Sequence, residues 1–276
     1  MSFPNLHLEA CRLTKDGEVA TVTIIPPRNL SAGTADLHWE LGEVFSALRS
    51  DTSTRVVVFT GEDGEFYQPM DGAFYDQPEL REYVTDPAHS YKTFTGIVRV
   101  HQAMAELEKP IVGKINGNAL GFGTSLVFAC DLIIANEDAQ LIDIHLGMGE
   151  VEEGGPNFGI VTGDGGSALI PLFFSPAVAK EVLMLAKRFT GRDLAEMNVI
   201  NYAVPLSELN TKTDEIVDAL LRRSAFALAW TKRTANRIVA HHLNMTLDAA
   251  AAYEMVNFLQ LDRLNGKDPM SLESED

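Results

Sequence analysis

The fold class of this chain follows from residues 109–135, KPIVGKINGNALGFGTSLVFACDLIIA. The apolar run at 110–115 predicts a strand, and the helical pattern at 122–130 leads into a second apolar run, DLIIA, at 131–135. Short apolar runs without alternation are typical of parallel strands buried on both faces. A strand, a helix and a second strand in this order predict a βαβ unit, so we expect an α/β fold.

The flanking sequence continues this alternation and then changes. The β-branched run at 18–25 and the apolar run at 55–61 predict strands, while helical spacing predicts helices at 36–48 and 91–108. After Ser175 the pattern is helical, with helices predicted over 176–188, 192–198, 211–235 and 246–264. We therefore expect two regions, a core with the active site at 1–205 and a helical region at 206–276.

Composition excludes several classes of partner. The 276 residues are 46% hydrophobic, which is enough for a sizeable core. The 39 acidic residues outnumber the 22 basic ones, giving a net charge of −17 without a Lys/Arg run. Nucleic acids and anionic membrane surfaces bind clustered positive charge, so we expect neither as a partner.

Cysteine usage and the N-terminus predict a cytoplasmic protein. Cys11 and Cys130 are too few for a disulfide framework, and no set of His, Cys and carboxylate residues has zinc spacing, so we expect no metal. The N-terminal segment, MSFPNLHLEACR, lacks the basic and apolar pattern of a signal peptide. No apolar run approaches the roughly 18–20 residues that span a bilayer.

Four segments in succession resemble one family along nearly the whole chain. They are the stretch quoted above, LIDIHLGMG at 141–149, GIVTGDGGSALIPLFF at 159–174 and FTGRDLAEMNVINYAVP at 189–205. In this order they resemble the crotonase (enoyl-CoA hydratase/isomerase) superfamily. The resemblance implies a crotonase-like ββα spiral core with a C-terminal helical trimerisation region, and hence a homotrimer or dimer of trimers. We expect one apolar stripe to pack on a neighbouring subunit: Leu247, Ala250, Ala251, Met255, Phe258 and Leu259.

The resemblance also implies an oxyanion hole made of two backbone N–H groups. By position in the family motifs these belong to Gln68, in FYQPMD at 66–71, and to Phe122, in NGNALGFG at 116–123. Backbone N–H groups at a helix N-terminus stabilise the negative charge of a tetrahedral intermediate or an enolate. Apolar and aromatic side chains beside the first donor predict a substrate pocket: Phe66, Tyr67, Met70, Phe74 and Tyr75.

The two positions where hydratases of this family carry catalytic glutamates fall on Ser125 and His145. Syn addition of water to an enoyl thioester requires two carboxylates for acid and base steps, so we expect no ordinary hydratase activity. The isomerase pattern needs a carboxylate at the second position, where this chain has His145, and is excluded in the same way.

A narrower resemblance concerns the segment GIVTGDG at 159–165. It is similar to the GIVPGDG turn of the 6-oxocamphor hydrolase branch, whose members are β-diketone hydrolases that cleave a carbon–carbon bond without CoA. That resemblance implies three catalytic residues: His145, Asp164 in the turn, and Glu254 on the C-terminal helix. The residues at 148–157 look like an insertion.

Retro-Claisen hydrolysis, the reaction of that branch, needs a base for water, an oxyanion site and an acid for the leaving enolate. A histidine, with an ordinary pKa of about 6.5, takes up and returns protons near neutral pH. We hypothesise that His145 is the base, Asp164 its orienting partner and Glu254 a further polar group. Asp143 is a rival partner, because residues i and i+2 of a strand share a face. The residue types alone equally allow a core histidine, a turn aspartate and a solvated glutamate.

The leading hypothesis is a crotonase-fold hydrolase that cleaves a carbon–carbon bond of an apolar, cyclic β-diketone without a cofactor. Phe122 stands where the branch has a second histidine, so the identity of the diketone stays open. One alternative is a CoA-dependent family member, such as a thioester hydrolase, lyase, dehalogenase or divergent hydratase/isomerase, which Arg28 in the PPRNL turn favours. Another is a non-catalytic binding protein.

Overall fold

The computed structural model describes residues 3–25, 36–67, 86–147 and 159–264, with side chains as far as Phe258. The remaining segments include several features singled out in the sequence. Those that lie outside the described residues are Arg28, Gln68, Met70, Phe74, Tyr75, the apparent insertion at 148–157 and the side chain of Leu259.

Within the described ranges, six strands form the main sheet in the order β1-β2-β3-β4-β6-β9. β1 runs antiparallel to β2, and the other neighbouring strands are parallel. The strands are β1 (Cys11–Asp16), β2 (Val19–Ile24), β3 (Val56–Gly61), β4 (Ile111–Ile115), β6 (Leu132–Asn136) and β9 (Tyr202–Val204). The strands expected at 18–25, 55–61, 110–115 and 131–135 are confirmed.

A smaller sheet brings two chain segments to the site. It consists of β5 (Ala119–Leu120), β7 (Gln140–Ile142) and β8 (Phe189–Thr190), in the order β5-β7-β8. β5 and β7 are parallel, with Leu120 opposite Ile142. Because parallel strands point the same way, the residues that follow them leave the sheet side by side. Gly121 and Asp143 are the first of these residues.

The helices in the described ranges are α1 (Leu37–Ser50), α2 (Pro87–Glu106), α3 (Phe122–Phe128), α4 (Gly166–Phe173), α5 (Pro176–Leu185), α6 (Gly191–Glu196), α7 (Leu206–Leu221), α8 (Ala225–Ala235) and α9 (Arg237–Leu264). The single helix predicted over 211–235 is wrong. The chain breaks before Ser224, whose hydroxyl accepts a hydrogen bond from the N–H of Ala227 at 3.3 Å and starts a new helix. The last helix begins well before residue 246.

Both faces of the main sheet are covered, as the continuous apolar strands predict. All six residues of β3 are buried. On one face, α7 packs Leu209 and Val217 against strand residues that include Val58 and Val112. The larger core cluster, which includes residues of α1, α2 and α3, lies on the other side. The division of the chain at residue 205 stays a prediction.

The C-terminal helix packs on its own chain. α9 lies against α2 and α4, and it buries residues that recur at helical spacing: Leu243, Leu247, Ala250, Ala251 and Glu254. The expectation that this stripe faces a neighbouring subunit is therefore wrong for Leu247, Ala250 and Ala251. The same face turns the carboxyl group of Glu254 toward the interior. None of the helices in the described part of the chain has the length and apolarity that a bilayer crossing requires.

Candidate active site

The N-terminus of α3 lies beside His145. Gly121, the residue before α3, has a φ of 54°, which glycine adopts without steric cost. A side chain there would reach within 3.4 Å of Ile144 and 3.7 Å of His145 Cε1. The first N–H groups of a helix have no intrahelical acceptor, so this end of α3 offers donors next to the imidazole. The predicted oxyanion donor Phe122 is the first residue of α3, and its role stays a prediction.

His145 is buried between two aspartates. It lies three residues after the end of β7 and begins a 3-10 turn, His145–Gly147. Its Nδ1 lies 2.6 Å from Asp143 Oδ1, and its Nε2 lies 3.0 Å from Asp164 Oδ2. Glu254 Oε1 is 3.6 Å from the same Nε2. The structure thus brings the three predicted catalytic side chains together, from three distant parts of the chain.

Asp143, the rival partner in the sequence hypothesis, lies at Nδ1 of His145, and the orienting role of Asp164 stays a prediction. Besides the contact with Nδ1, Asp143 Oδ1 accepts hydrogen bonds from the backbone N–H of His145 at 3.3 Å and from Thr162 Oγ1 at 3.2 Å. These contacts fix both the carboxylate and the ring, as in hydrolytic triads. Asp164 instead faces Nε2, the nitrogen on the side of Glu254.

Asp164 is held in the turn before α4. Its second oxygen, Oδ1, accepts a hydrogen bond from Ser125 Oγ at 2.9 Å, and both side chains are buried. The turn lies close to α9, because a side chain at Gly163 would reach within 2.5 Å of Glu254 Cβ. Glycine at 163 therefore permits the approach that brings Glu254 to His145.

Burial and neighbouring charges shift the pKa values of His145, Asp164 and Glu254 in different directions. Burial lowers the pKa of His145, but the Asp164 and Asp143 carboxylates outweigh it and raise the pKa well above its usual value. Burial raises the pKa of Asp164, while the charge of His145 and the hydrogen bonds of His145 and Ser125 lower it overall. Burial raises the pKa of Glu254 to about 8. At neutral pH these shifts favour an imidazolium at His145, a carboxylate at Asp164 and a neutral acid at Glu254.

The chain matches one known protein family along most of its length. The family described as Enoyl-CoA hydratase/isomerase matches residues 14–266. The chain belongs to that family. The crotonase resemblance and the crotonase-like fold predicted from the sequence are confirmed by this match and by solved structures of the same fold.

Known relatives align with this chain over most of its length. A short-chain-enoyl-CoA hydratase of Clostridium acetobutylicum is 28% identical over 255 residues, 92% of this chain and 89% of the relative. An enoyl-CoA hydratase/isomerase structure from Mycobacterium paratuberculosis has 25% identity and a TM-score of 0.75, covering 92% of this chain and 96% of the other. A β-diketone hydrolase from Anabaena, bound to (S)-3-oxocyclohexyl acetic acid, has 24% identity, a TM-score of 0.77 and the same coverage. The last likeness concerns the fold alone.

Two further histidines lie near the crotonase site and were not singled out in the sequence. The ring centroid of Phe122 is 4.2 Å from that of His38 and 6.0 Å from that of His101. His38 Nδ1 lies 3.0 Å from Asp36 Oδ1, which also caps α1. The detectable signal for His101 was its place on the apolar face of α2, between Ile97 and Met104.

The predicted pocket residues are described only in part. Tyr67 packs its ring edge-on to Phe122, with centroids 5.8 Å apart. Phe66 lies in the hydrophobic core, 5.3 Å from Phe59 by ring centroids. Whether either residue contacts a substrate stays a prediction. Among the described residues, no group of three His, Cys, Asp or Glu side chains is arranged to hold a metal ion.

Proposed function

We propose that this protein hydrolyses a carbon–carbon bond of a β-diketone by a retro-Claisen reaction. The observation that carries the proposal is the buried His145, with a carboxylate on each ring nitrogen and the N-terminus of α3 at its side. Such a unit moves a proton to and from a bound substrate, and helix N–H groups stabilise an oxyanion. The two carboxylates of a hydratase are replaced by Ser125 and His145, which argues against syn hydration.

The resting charges suggest how the proton moves. His145 is already an imidazolium, so the Asp164 carboxylate beside Nε2 accepts the proton of the attacking water. The water oxygen bonds to one carbonyl carbon, and the resulting oxyanion accepts hydrogen bonds from the predicted N–H donors. The bond between that carbon and the central carbon then breaks, and its electron pair forms an enolate.

The enolate carbon next receives a proton from His145 Nε2, and Asp164 returns the water proton to the imidazole. The products are a carboxylic acid and a ketone, joined in one molecule when the diketone is cyclic. In this account His145 is the acid and Asp164 the base, whereas the sequence hypothesis made His145 accept the water proton. Asp143 keeps the ring oriented throughout.

Glu254 makes the activity depend on pH in the alkaline range. Its pKa is raised to about 8 by burial, so it is neutral at pH 7 and ionises above about pH 8. A third carboxylate beside His145 and Asp164 would hold the proton on the ring and oppose its transfer. We expect kcat/KM to fall above about pH 8, and Glu254→Gln to shift that fall to higher pH. Measuring kcat/KM from pH 6 to 10 tests this.

The stability of the fold supplies an independent readout for Glu254. The unfolded chain ionises this carboxyl near its ordinary value of 4.5, while the folded chain keeps it neutral up to about 8. The group's contribution to stability is therefore full below pH 4.5 and is lost as pH rises through 8. Relative to wild type, Glu254→Gln should gain stability between pH 5 and 9. Glu215→Gln, an exposed change on α7, is the matched control and should show no such trend.

The second candidate is a CoA-dependent reaction. It is favoured by the curated relatives, among them a hydratase named for short-chain enoyl-CoA and a carnitinyl-CoA dehydratase of Escherichia coli at 27% identity. The carbonyl oxygen of a thioester substrate would use the same oxyanion donors. His145 would then take part in hydrolysis of the thioester or in a lyase reaction. A non-catalytic family member would bind neither substrate class productively.

The deciding experiment presents the purified protein with cyclic and bicyclic β-diketones and, in parallel, with crotonyl-CoA and other acyl-CoAs. Loss of enol absorbance and product mass are followed in water enriched in ¹⁸O. We expect water-dependent ring opening of a diketone, with one ¹⁸O in the new carboxylate. Turnover of the CoA esters alone would overturn the proposal in favour of the second candidate.

A further inference from the structure

Ser125 occupies the place of a hydratase glutamate but has a different partner. Its hydroxyl, buried in the middle of α3, donates a 2.9 Å hydrogen bond to Asp164 Oδ1. Asp164 Oδ2 faces His145 Nε2 at 3.0 Å. We propose that Ser125 is the positioning residue of Asp164, which aligns this carboxylate on the imidazole and, together with His145, keeps it ionised. The part of this inference that concerns catalysis rests on the proposed function.

The second histidine near Asp164, His101, does not donate a hydrogen bond to it. Asp164 therefore depends on the Ser125 hydroxyl. His101 is buried, and its Nδ1 lies 2.8 Å from the carbonyl oxygen of Ile97, so Nδ1 carries the proton and donates it. Nε2 of the neutral ring is then a lone-pair acceptor. Burial lowers the pKa of His101, which favours the neutral ring. No described residue donates to this Nε2.

Close packing limits the choice of residue at position 125. A side chain on Gly165 would reach within 2.4 Å of His101 Nε2 and 3.0 Å of Ser125 Cβ. The three residues therefore fill the space behind Asp164, and a glutamate at 125 would add both bulk and a second buried negative charge. A small hydroxyl residue meets both constraints, because it fits the space and donates to the carboxylate.

The titration of Asp164 gives a test that does not depend on finding the substrate. Other titratable groups lie around it: His145 and Asp143 after β7, Glu254 on α9, His101 on α2 and Tyr67 beside β5. Aspartate labelled with ¹³C at the carboxyl carbon reports its protonation by NMR. Loss of a hydrogen bond to the charged form should raise the pKa of Asp164 by about one unit in Ser125→Ala. Ser125→Thr, which keeps the hydroxyl but adds a methyl group, should raise the pKa of Asp164 less than Ser125→Ala does.

Matched variants separate positioning from a general structural role. Ser46→Ala removes a hydroxyl that donates to the carbonyl of Gly42 at 2.6 Å within α1, and it should leave Asp164 unchanged. On the diketone substrate, Ser125→Ala should lower kcat about tenfold and shift the acid limb of the pH profile with the pKa of Asp164. In the Asp164→Asn background the same change should have no further effect on kcat. If Ser125→Ala does not fold, Ser125→Cys, a weaker donor, should give an intermediate shift.

The outcomes distinguish this inference from the proposed function. An unchanged Asp164 titration in Ser125→Ala, or in Ser125→Cys where alanine does not fold, overturns the role of Ser125 even when the wild-type protein cleaves diketones. A shifted titration in a protein that turns over no diketone supports the role of Ser125 and contradicts the reaction. Equal losses of kcat on adding Ser125→Ala to the wild-type and to the Asp164→Asn protein also overturn the positioning role of Ser125, because Ser125 would then act independently of Asp164.

Discussion

Replacing His145 with glutamine should lower kcat for the diketone substrate by about 10³-fold or more, with a much smaller change in KM. The proposed reaction needs a proton donor for the enolate carbon, and a glutamine amide does not donate a proton at neutral pH. Substrate binding rests instead on the pocket and the predicted oxyanion donors, which the change leaves in place. Steady-state kinetics on the diketone identified in the substrate panel measure the loss.

Glutamine is a better replacement than alanine because of the charges that surround the ring. Asp143 and Asp164 both lie buried against His145, and alanine would leave the two carboxylates without their counter-charge and without the ring N–H groups. The glutamine amide still donates hydrogen bonds, and circular dichroism and thermal unfolding establish that the variant is folded. His241→Gln, an exposed change on α9, should keep full activity. A folded His145→Gln variant with activity within a few-fold of wild type would remove His145 from the chemistry.

Much of the fold was predictable because its strands are continuous apolar runs. Residues 110–115 and 131–135 lie in adjacent parallel strands, β4 and β6, as the βαβ pattern required. The small sheet was not predictable, since two- and three-residue strands such as β5 and β8 carry no periodicity. The break between α7 and α8 was missed because neither glycine nor proline marks it, only the Ser224 cap.

The site was predicted by resemblance, and its internal geometry was not. His145, Asp164 and Glu254 lie far apart in sequence, and their meeting depends on how α9 packs against the turn before α4. That Asp143 faces Nδ1 follows from the 3-10 turn after β7, which bends the chain so that the i,i+2 pair meets. The sequence marked Ser125 only as a missing glutamate, because its acceptor Asp164 is 39 residues away.

The second large effect concerns Asp143, which we expect to be as necessary for turnover as His145. Asp143→Asn should lower kcat by about 10³- to 10⁴-fold, approaching the loss of about 10⁴-fold that follows when the orienting aspartate of a hydrolytic triad becomes asparagine. An asparagine amide that donates to Nδ1 requires an unprotonated Nδ1, which removes the imidazolium on which proton return depends. An amide that accepts keeps the ring orientation but lacks the charge that stabilises the imidazolium.

The pH dependence separates this electrostatic role from a structural one. The Asp143 carboxylate contributes to raising the pKa of His145, so its loss should lower that pKa. As pH rises, the His145 imidazolium should then lose its proton at a lower pH than in wild type. The stability that its ion pairs contribute should be lost over the same lower pH range. NMR titration of the His145 ring in Asp143→Asn measures the shift directly. Asp138→Asn, an exposed change just before β7, is the matched control and should alter neither kcat nor the titration. A folded Asp143→Asn variant with wild-type kcat would show that the Nδ1 contact is dispensable, and Asp164 alone would then have to orient the ring.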